Sequence, residues 1–303
     1  MRMGYFPGCS LEGTAREYDE SIRAIAPLVG WELEEVADWN CCGASAAHCL
    51  NHKLALALPA RILALAEKAG LEEILVPCSA CFNRLAGTRR ELRDDPHLRA
   101  EISELIELEF TGRSKVVHVL TALSQLDQGA LAAKFTAPFH RKVACYYGCY
   151  LTRPGLISTC RRAEDPQEMD ELMRAAGAEP IDWAFKVECC GAGLSVTRVD
   201  VVADLSGRIV EDAARRGAEA IVVACPMCHS NLDLRRPEIE RSRRHAYPMP
   251  VLYLTQVIGL AMGLTERSLG LHRHFVPVRF AEREAGTTDA KAPVAVGTGA
   301  GEH

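Results

Sequence analysis

One pattern of five cysteines occurs twice in this chain of 303 residues, in the same order each time. The first copy is Cys9, then Cys41-Cys42-Gly43, then Cys78-Ser79-Ala80-Cys81; the second is Cys149, then Cys189-Cys190-Gly191, then Cys225-Pro226-Met227-Cys228. Ten of the thirteen cysteines belong to it. A closed structural zinc site takes four ligands, and each copy supplies a fifth thiol. Adjacent residues lie about 3.8 Å apart at Cα and their side chains diverge, so two neighbouring thiolates suit two metal atoms better than one small ion.

The repetition extends beyond the thiols. Phe6-Pro7-Gly8-Cys9 matches Tyr146-Tyr147-Gly148-Cys149, and Ile74-Leu75-Val76 before the first Cys-x-x-Cys matches the apolar run 221–224 before the second. A fourth match carries no cysteine: Val117-His118-Val119-Leu120-Thr121 against Val251-Leu252-Tyr253-Leu254-Thr255. Each half alternates short apolar runs with helical periodicity. Tyr18, Ile22, Ile25 and Val29 share one helix face, as do Met169, Leu172 and Met173 between Pro166 and Gly177. Longer helices are predicted over 54–69, which Pro59 must kink or start, and over 199–216. The runs 73–76 and 220–224 are buried strands ending at the Cys-x-x-Cys.

Alternating strands and helices predict an α/β fold of two pseudo-symmetric repeats, each a small parallel sheet flanked by helices. Ligands of such sheets gather at strand carboxyl ends, so each five-cysteine set is expected to converge there. The expected divisions are an N-terminal domain 1–138, a C-terminal domain 139–268, an arm 269–280 that docks on a partner or on its own domain, and a disordered tail 281–303.

Composition excludes several classes. Net charge is −5 with no basic run, which argues against nucleic acid. No apolar stretch approaches the length of a transmembrane helix, and Met1-Arg2-Met3-Gly4-Tyr5 opens no signal peptide, so a cytoplasmic setting is expected. There, thiols in this number are metal ligands or catalytic groups rather than disulfides. Three readings compete for each Cys-x-x-Cys: a redox pair, a zinc site, or an iron–sulfur site, and the recurring fifth thiol favours the last. Cys49, Cys145 and Cys160 stand outside the pattern as buried small hydrophobes or spare ligands. His48 and His229 are candidate proton donors. Arg84, Arg153 and Arg198 are candidates for an anionic substrate group, each set against a solvated charge or a structural hydrogen bond. Tyr5, Tyr147, Tyr150 and Trp39 are expected to wall the sites.

The doubled motif resembles that of the cysteine-rich CCG domain family, and within it the heterodisulfide reductase B subunits, over roughly residues 1 to 280. That resemblance implies two noncubane [4Fe-4S] clusters. Carried over by motif, Cys9, Cys41, Cys42, Cys78 and Cys81 would hold one, and Cys149, Cys189, Cys190, Cys225 and Cys228 the other. It further implies cleavage of a small-molecule disulfide between the clusters, with electrons from a ferredoxin-like C subunit fed by a flavin-containing A subunit. The expectation is therefore a disulfide oxidoreductase working within a complex. The alternative is a cluster-bearing electron-transfer subunit of a quinone-linked or dehydrogenase complex without its own substrate site.

Overall fold

A computed structural model describes residues 1–44 and 47–280, apart from the His48 side chain; the segment 281–303 lies outside the described residues. The first half runs β1 (Arg2–Tyr5), α1 (Gly8–Glu12), α2 (Arg16–Ile25), β2 (Glu32–Glu35), α3 (Ala47–Leu50), α4 (His52–Lys68) and β3 (Glu73–Val76). It continues with α5 (Ser79–Asp94), α6 (Pro96–Leu105), β4 (Lys115–His118), α7 (Val119–Ser124) and α8 (Gln128–Ala132). The second half holds β5 (Lys142–Tyr146), α9 (Cys149–Thr152), α10 (Glu168–Ala175), β6 (Glu179–Pro180), α11 (Val199–Arg215) and β7 (Ala220–Val223). Then come α12 (Pro226–Leu232), α13 (Arg236–Arg243), β8 (Val251–Tyr253) and α14 (Leu254–Ala261).

Both sheets are parallel, in the orders β2-β1-β3-β4 and β6-β5-β7-β8. The α/β fold of two pseudo-symmetric repeats is thus the one that the periodicity predicts. Strands β3 and β7 are apolar and buried along nearly their whole length, as helices on both faces of a parallel sheet require. Edge strand β2 carries three glutamates, which discourages pairing with another chain.

Local chemistry sets the helix ends. Regular helix α2 stops at Ile25, short of Val29, because Pro27 follows. Helix α4 starts at His52, capped by the Asn51 side chain accepting from the Leu54 N–H at 3.0 Å, and Pro59 sits in its interior. Proline has no N–H to donate to the carbonyl four residues back, so the Ala55 oxygen is left available.

The halves are packed reciprocally. Helix α2 lies on α14 while α10 lies on α7, and α1 meets α12 while α5 meets α9. At the first contact the Tyr18 ring stacks on Tyr253 at 3.9 Å, and the Ser21 and Thr255 hydroxyls are 2.7 Å apart. The arm 269–280 closes over both halves. Arg273 pairs with Glu20, Gln256 donates to the Leu269 carbonyl, and the Phe275 and Val276 N–H groups donate to the Asp233 carboxylate.

Candidate functional site

Strand order reverses between β1 and β3, and between β5 and β7. Such switch points are where open α/β sheets place ligands. Cys9 and Cys149 follow β1 and β5; Cys78 and Cys225 follow β3 and β7 and stand at the N-caps of α5 and α12. Each double cysteine is carried in by the loop after an edge strand, β2 or β6.

Within each half the thiols converge. The Cys42 and Cys81 sulfurs are 3.2 Å apart, and those of Cys190 and Cys228 3.6 Å. A disulfide needs about 2.05 Å, and no described cysteine forms one. Sulfurs on one tetrahedral metal, each about 2.3 Å from it, lie about 3.8 Å from each other. Cys9 adjoins Cys41, and Cys149 adjoins Cys189. The Gly43 and Gly191 N–H groups point at the Cys41 and Cys189 sulfurs, at 3.4 and 3.3 Å. The two sets then meet, because Cys78 and Cys225 adjoin each other across the pseudo-twofold, where α1 packs on α12 and α5 on α9.

Two glycines make room for this. Gly8 and Gly148 have φ of +69° and +71°, and a Cβ there would stand 3.2 Å from the Cys81 sulfur and 3.0 Å from that of Cys228. Both conditions, left-handed backbone and close approach, call for glycine.

Thiols packed this closely cannot all ionise without a cation among them. Their titration is split accordingly. Hydrogen bonding from Cys81 draws Cys42 down to about 7, and bonding from Cys149 draws Cys189 down to about 6. Cys81, Cys149 and Cys78 are pushed up by the same bonds, with Cys42, Cys189 and Cys225 respectively, while burial raises Cys9. Helix N-termini at both Cys-x-x-Cys pairs favour thiolates. Five thiols per half linked by pairwise contacts, too many for one tetrahedral ion, fit a multi-iron group.

Surrounding residues divide between the site and the core. Successive strand residues face opposite ways. Tyr5 and Tyr147 accordingly turn into the helix layer and donate to Asp19 and Asp170, each at 2.6 Å. Their neighbours Phe6 and Tyr146 flank the glycines instead, and Tyr146 lies beside Cys228, Cys190, Cys149 and Cys189. Trp39 packs edge-on against Phe6 at 5.3 Å. Tyr150, partly exposed, adjoins Cys149 and Cys189. Cys145 is buried beside Asp170 and Lys186, Cys160 sits near Glu168, and Cys49 is exposed.

His229 is fully buried and faces away from the thiols. Its ring stacks on Tyr253 at 4.4 Å, and its Nε2 lies 3.1 Å from the Val251 carbonyl and 3.2 Å from His274 Nδ1. Burial lowers it to about 3, so it is neutral. Its counterpart in the first half is Phe82, also a packing residue. His229, Asp233 and His274 bring one donor atom each within 4.8 Å of one another. Hydrogen bonds already close this group. Gln256 accepts from the Tyr253 N–H and donates to the Leu269 carbonyl, so its amide donates to His274 Nε2 and leaves the His274 proton on Nδ1. The His48 side chain lies outside the described residues. Arg153 is 3.8 Å from Glu188, Arg198 donates to Asp200 at 2.7 Å, and Arg84 donates to the Ala55 carbonyl at 3.0 Å. Sequence reasoning did not anticipate the roles of Phe6 and Tyr146, or the Cys78–Cys225 contact; strand alternation could have found the first two.

Comparison with known proteins agrees with this architecture. The family model for the cysteine-rich domain CCG matches residues 3–86 and 143–233. The chain is 32% identical over 276 residues to the 8-methylmenaquinol:fumarate reductase membrane anchor subunit of Wolinella succinogenes, covering 90% of this chain and 96% of that protein. It is 29% identical over 282 residues to the B subunit of the ferredoxin/F(420)H(2)-dependent CoB-CoM heterodisulfide reductase of Methanosarcina acetivorans, covering 91% and 94%. A hypothetical protein from Helicobacter pylori shares the fold with a TM-score of 0.76 at 14% identity, over 92% of this chain, which spans about half (53%) of that one. Among the described residues no helix is long and apolar enough to cross a membrane.

Proposed function

Because the chain belongs to the cysteine-rich CCG domain family, we propose that it is the iron–sulfur redox subunit of a multisubunit complex that reduces, or forms, a small-molecule disulfide. The observation that carries this reading is the packing of α1 on α12 and α5 on α9, with Cys78 adjoining Cys225, which brings the two five-thiol sets together. Cys9, Cys41, Cys42, Cys78 and Cys81 would hold one noncubane [4Fe-4S] cluster, and Cys149, Cys189, Cys190, Cys225 and Cys228 the other. When bound, the pair supplies one-electron chemistry on each side of a scissile S–S bond.

Reducing a disulfide to two thiols consumes two electrons and two protons. The electrons would come from a ferredoxin-like subunit fed by a flavin-containing one. The chain's own contribution is placement. Helices α5 and α12 aim their N-termini at the site, where partial positive charge favours thiolate. Phe6, Trp39 and Tyr146 keep water from the inner sulfurs, and of each quintet the double cysteine's first member and the leading cysteine remain open to solvent or half-open. Burial lowers His118, behind Cys78, to about 4, so it is neutral at pH 7, with its Nε2–H donated to the Pro77 carbonyl.

Anaerobic purification tests the reading first: about eight irons and eight labile sulfides per chain are expected. Viologen-linked reduction of a disulfide panel should then show turnover. Replacing Cys41 or Cys189 by serine should remove one cluster's signal and spare the other; survival of both signals would refute the ligand assignment.

A second reading, electron transfer with a quinol and no disulfide site, draws support from the fumarate reductase relative. Large apolar side chains also stand exposed after the cysteine motifs, namely Leu50, Leu54, Leu156 and Val196. Intact, reducible clusters that turn over no disulfide but accept electrons from a menaquinol analogue would favour it.

A further inference from the structure

Helix α5, opened by Cys78 and Cys81, carries four of the six buried side-chain polar atoms that lack a partner among the described residues: Asn83 Nδ2, Arg84 Nε, Thr88 Oγ1 and Arg89 Nε. Buried donors without acceptors are uncommon and costly, and each asks for a ligand or an explanation. Arg84 lies nearly one turn beyond Cys81, and Thr88 lies one turn further along that side of the helix.

The guanidinium is held in place by a particular device. Pro59 leaves the Ala55 carbonyl without its helical donor, and an Arg84 terminal nitrogen donates to that carbonyl at 3.0 Å. No described carboxylate pairs with Arg84, in contrast to Arg153 and Arg198. Its positive charge reaches Cys42 in the first half and Tyr150, next to Cys149, in the second. Packing agrees with this, since α5 meets α9, the helix that Cys149 opens. Arg84 therefore stands at the seam between the two thiol sites with its Nε edge unspent.

The matching position of the other half carries no cation, and the Arg153 charge that reaches Cys189 there has Glu188 3.8 Å away. Three residues after Cys228 comes Asn231, whose amide donates to the Cys190 carbonyl at 2.9 Å and accepts from the Ser195 hydroxyl at 2.8 Å. The paired sites are thus electrostatically unequal at matching positions.

Building on the disulfide reading, we propose that Arg84 determines substrate specificity by binding an oxyanion (carboxylate, sulfonate or phosphate) on one arm of the disulfide. The unspent N–H of a guanidinium matches such a group, and Arg84 has no described carboxylate beside it whereas Arg153 in the other half has Glu188, so an unsymmetrical disulfide would bind in one orientation.

The test compares dithiodipropionate with its neutral diamide as substrates of the anaerobically purified complex. In Arg84→Gln the preference for the dianion over the diamide should fall about ten- to hundredfold, mainly through KM. Arg84→Lys keeps the charge but not the planar edge and should lie between; it also carries the comparison if Arg84→Gln assembles poorly. An unchanged preference overturns the proposal, as does an equal loss on both substrates accompanied by a shifted potential, which would mark Arg84 as a counter-ion to the cluster. If the wild-type complex reduces neither compound, the disulfide reading fails. Arg84 is then judged by how mercaptopropionate and its amide perturb the reduced-cluster EPR signal: tighter binding of the acid that R84Q abolishes upholds anion recognition, and equal binding ends it.

Discussion

Gly148→Ala should separate folding from cofactor assembly. The backbone at Gly148 has φ of +71°, and an added Cβ would sit 3.0 Å from the Cys228 sulfur. Left-handed backbone costs an alanine about 1–2 kcal/mol, and the stiffer unfolded chain returns about 0.4–1 kcal/mol of that. The net backbone cost is therefore about 1 kcal/mol, small beside the ~5–15 kcal/mol of a typical domain. The sulfur has less latitude. Optimal contact to a methyl is near 4 Å, so it would have to retreat by roughly half an ångström or more, whereas metal–ligand distances tolerate about 0.2 Å. Cys228 is buried in the first turn of α12 and 3.6 Å from Cys190, so retreat means a different rotamer that points the thiol out of the site. The expected variant is folded by far-UV circular dichroism, melts only a few degrees lower, and holds about half the wild-type iron and sulfide. The clash at Gly8, 3.2 Å from Cys81, is milder, so Gly8→Ala should act on the other half in the same sense and less strongly. Full iron content in Gly148→Ala, or loss from both halves with the fold intact, would refute this account of the glycines.

Two further changes probe the frame around the site. Lys186, almost fully buried, pairs with Asp170 at 3.0 Å, and its carbonyl accepts from the Tyr147 and Gly148 N–H groups. Lys186→Met would strand the Asp170 carboxylate and should cost about 3–5 kcal/mol in denaturant titration; a loss under 1 kcal/mol would show that the pair is not needed. Burial raises Glu17 from its ordinary 4.5 to about 7, and the His229 nitrogen 3.8 Å away is neutral and gives it no ion pair. Because the folded value is the higher one, this group's contribution is present below about pH 4.5 and is lost as pH rises through about 7, by roughly 3 kcal/mol at the alkaline end. Glu17→Gln should therefore flatten the fall in stability between about pH 4.5 and 7.5, measured by urea unfolding; parallel curves for the two proteins would exclude Glu17 as the titrating group.

Much of the fold could be read from the sequence because its signals are local. The β3 and β7 runs are continuous apolar segments, Gly177 closes α10 with φ of +81°, and the order of the cysteines follows the order of strand ends. Three features were hidden because they depend on side-chain direction or on contacts between halves. Proximity in sequence assigns Tyr5 and Tyr147 to the cluster walls, yet strand alternation gives that place to Phe6 and Tyr146. His229 follows Cys228 directly, but one helical step of about 100° turns it onto Tyr253 and the arm. The Cys78–Cys225 contact requires α2 against α14 and α10 against α7, which no single window of sequence contains.

Duplication explains the common plan, and the departures from it show where the halves have specialised. Matching glycines, double cysteines and cysteines at the helix N-cap positions are kept in both, because each answers a geometric demand that either site makes alone. Elsewhere the pairs differ: Phe82 with His118 against His229 with Tyr253, and Arg84 against Asn231; strand register puts His118 opposite Val76 and Tyr253 opposite Val223, so these two correspond, one residue away from the match made on sequence. The first exchange conserves an aromatic pair and so preserves packing. The second changes charge beside the thiols, and it comes with Pro59, a residue for which α11 has no counterpart and whose effect is to free the carbonyl that holds Arg84. Two substitutions on different helices that act on one guanidinium are hard to ascribe to drift in packing. They fit a pair of sites that began alike and came to treat the two ends of a bound molecule differently.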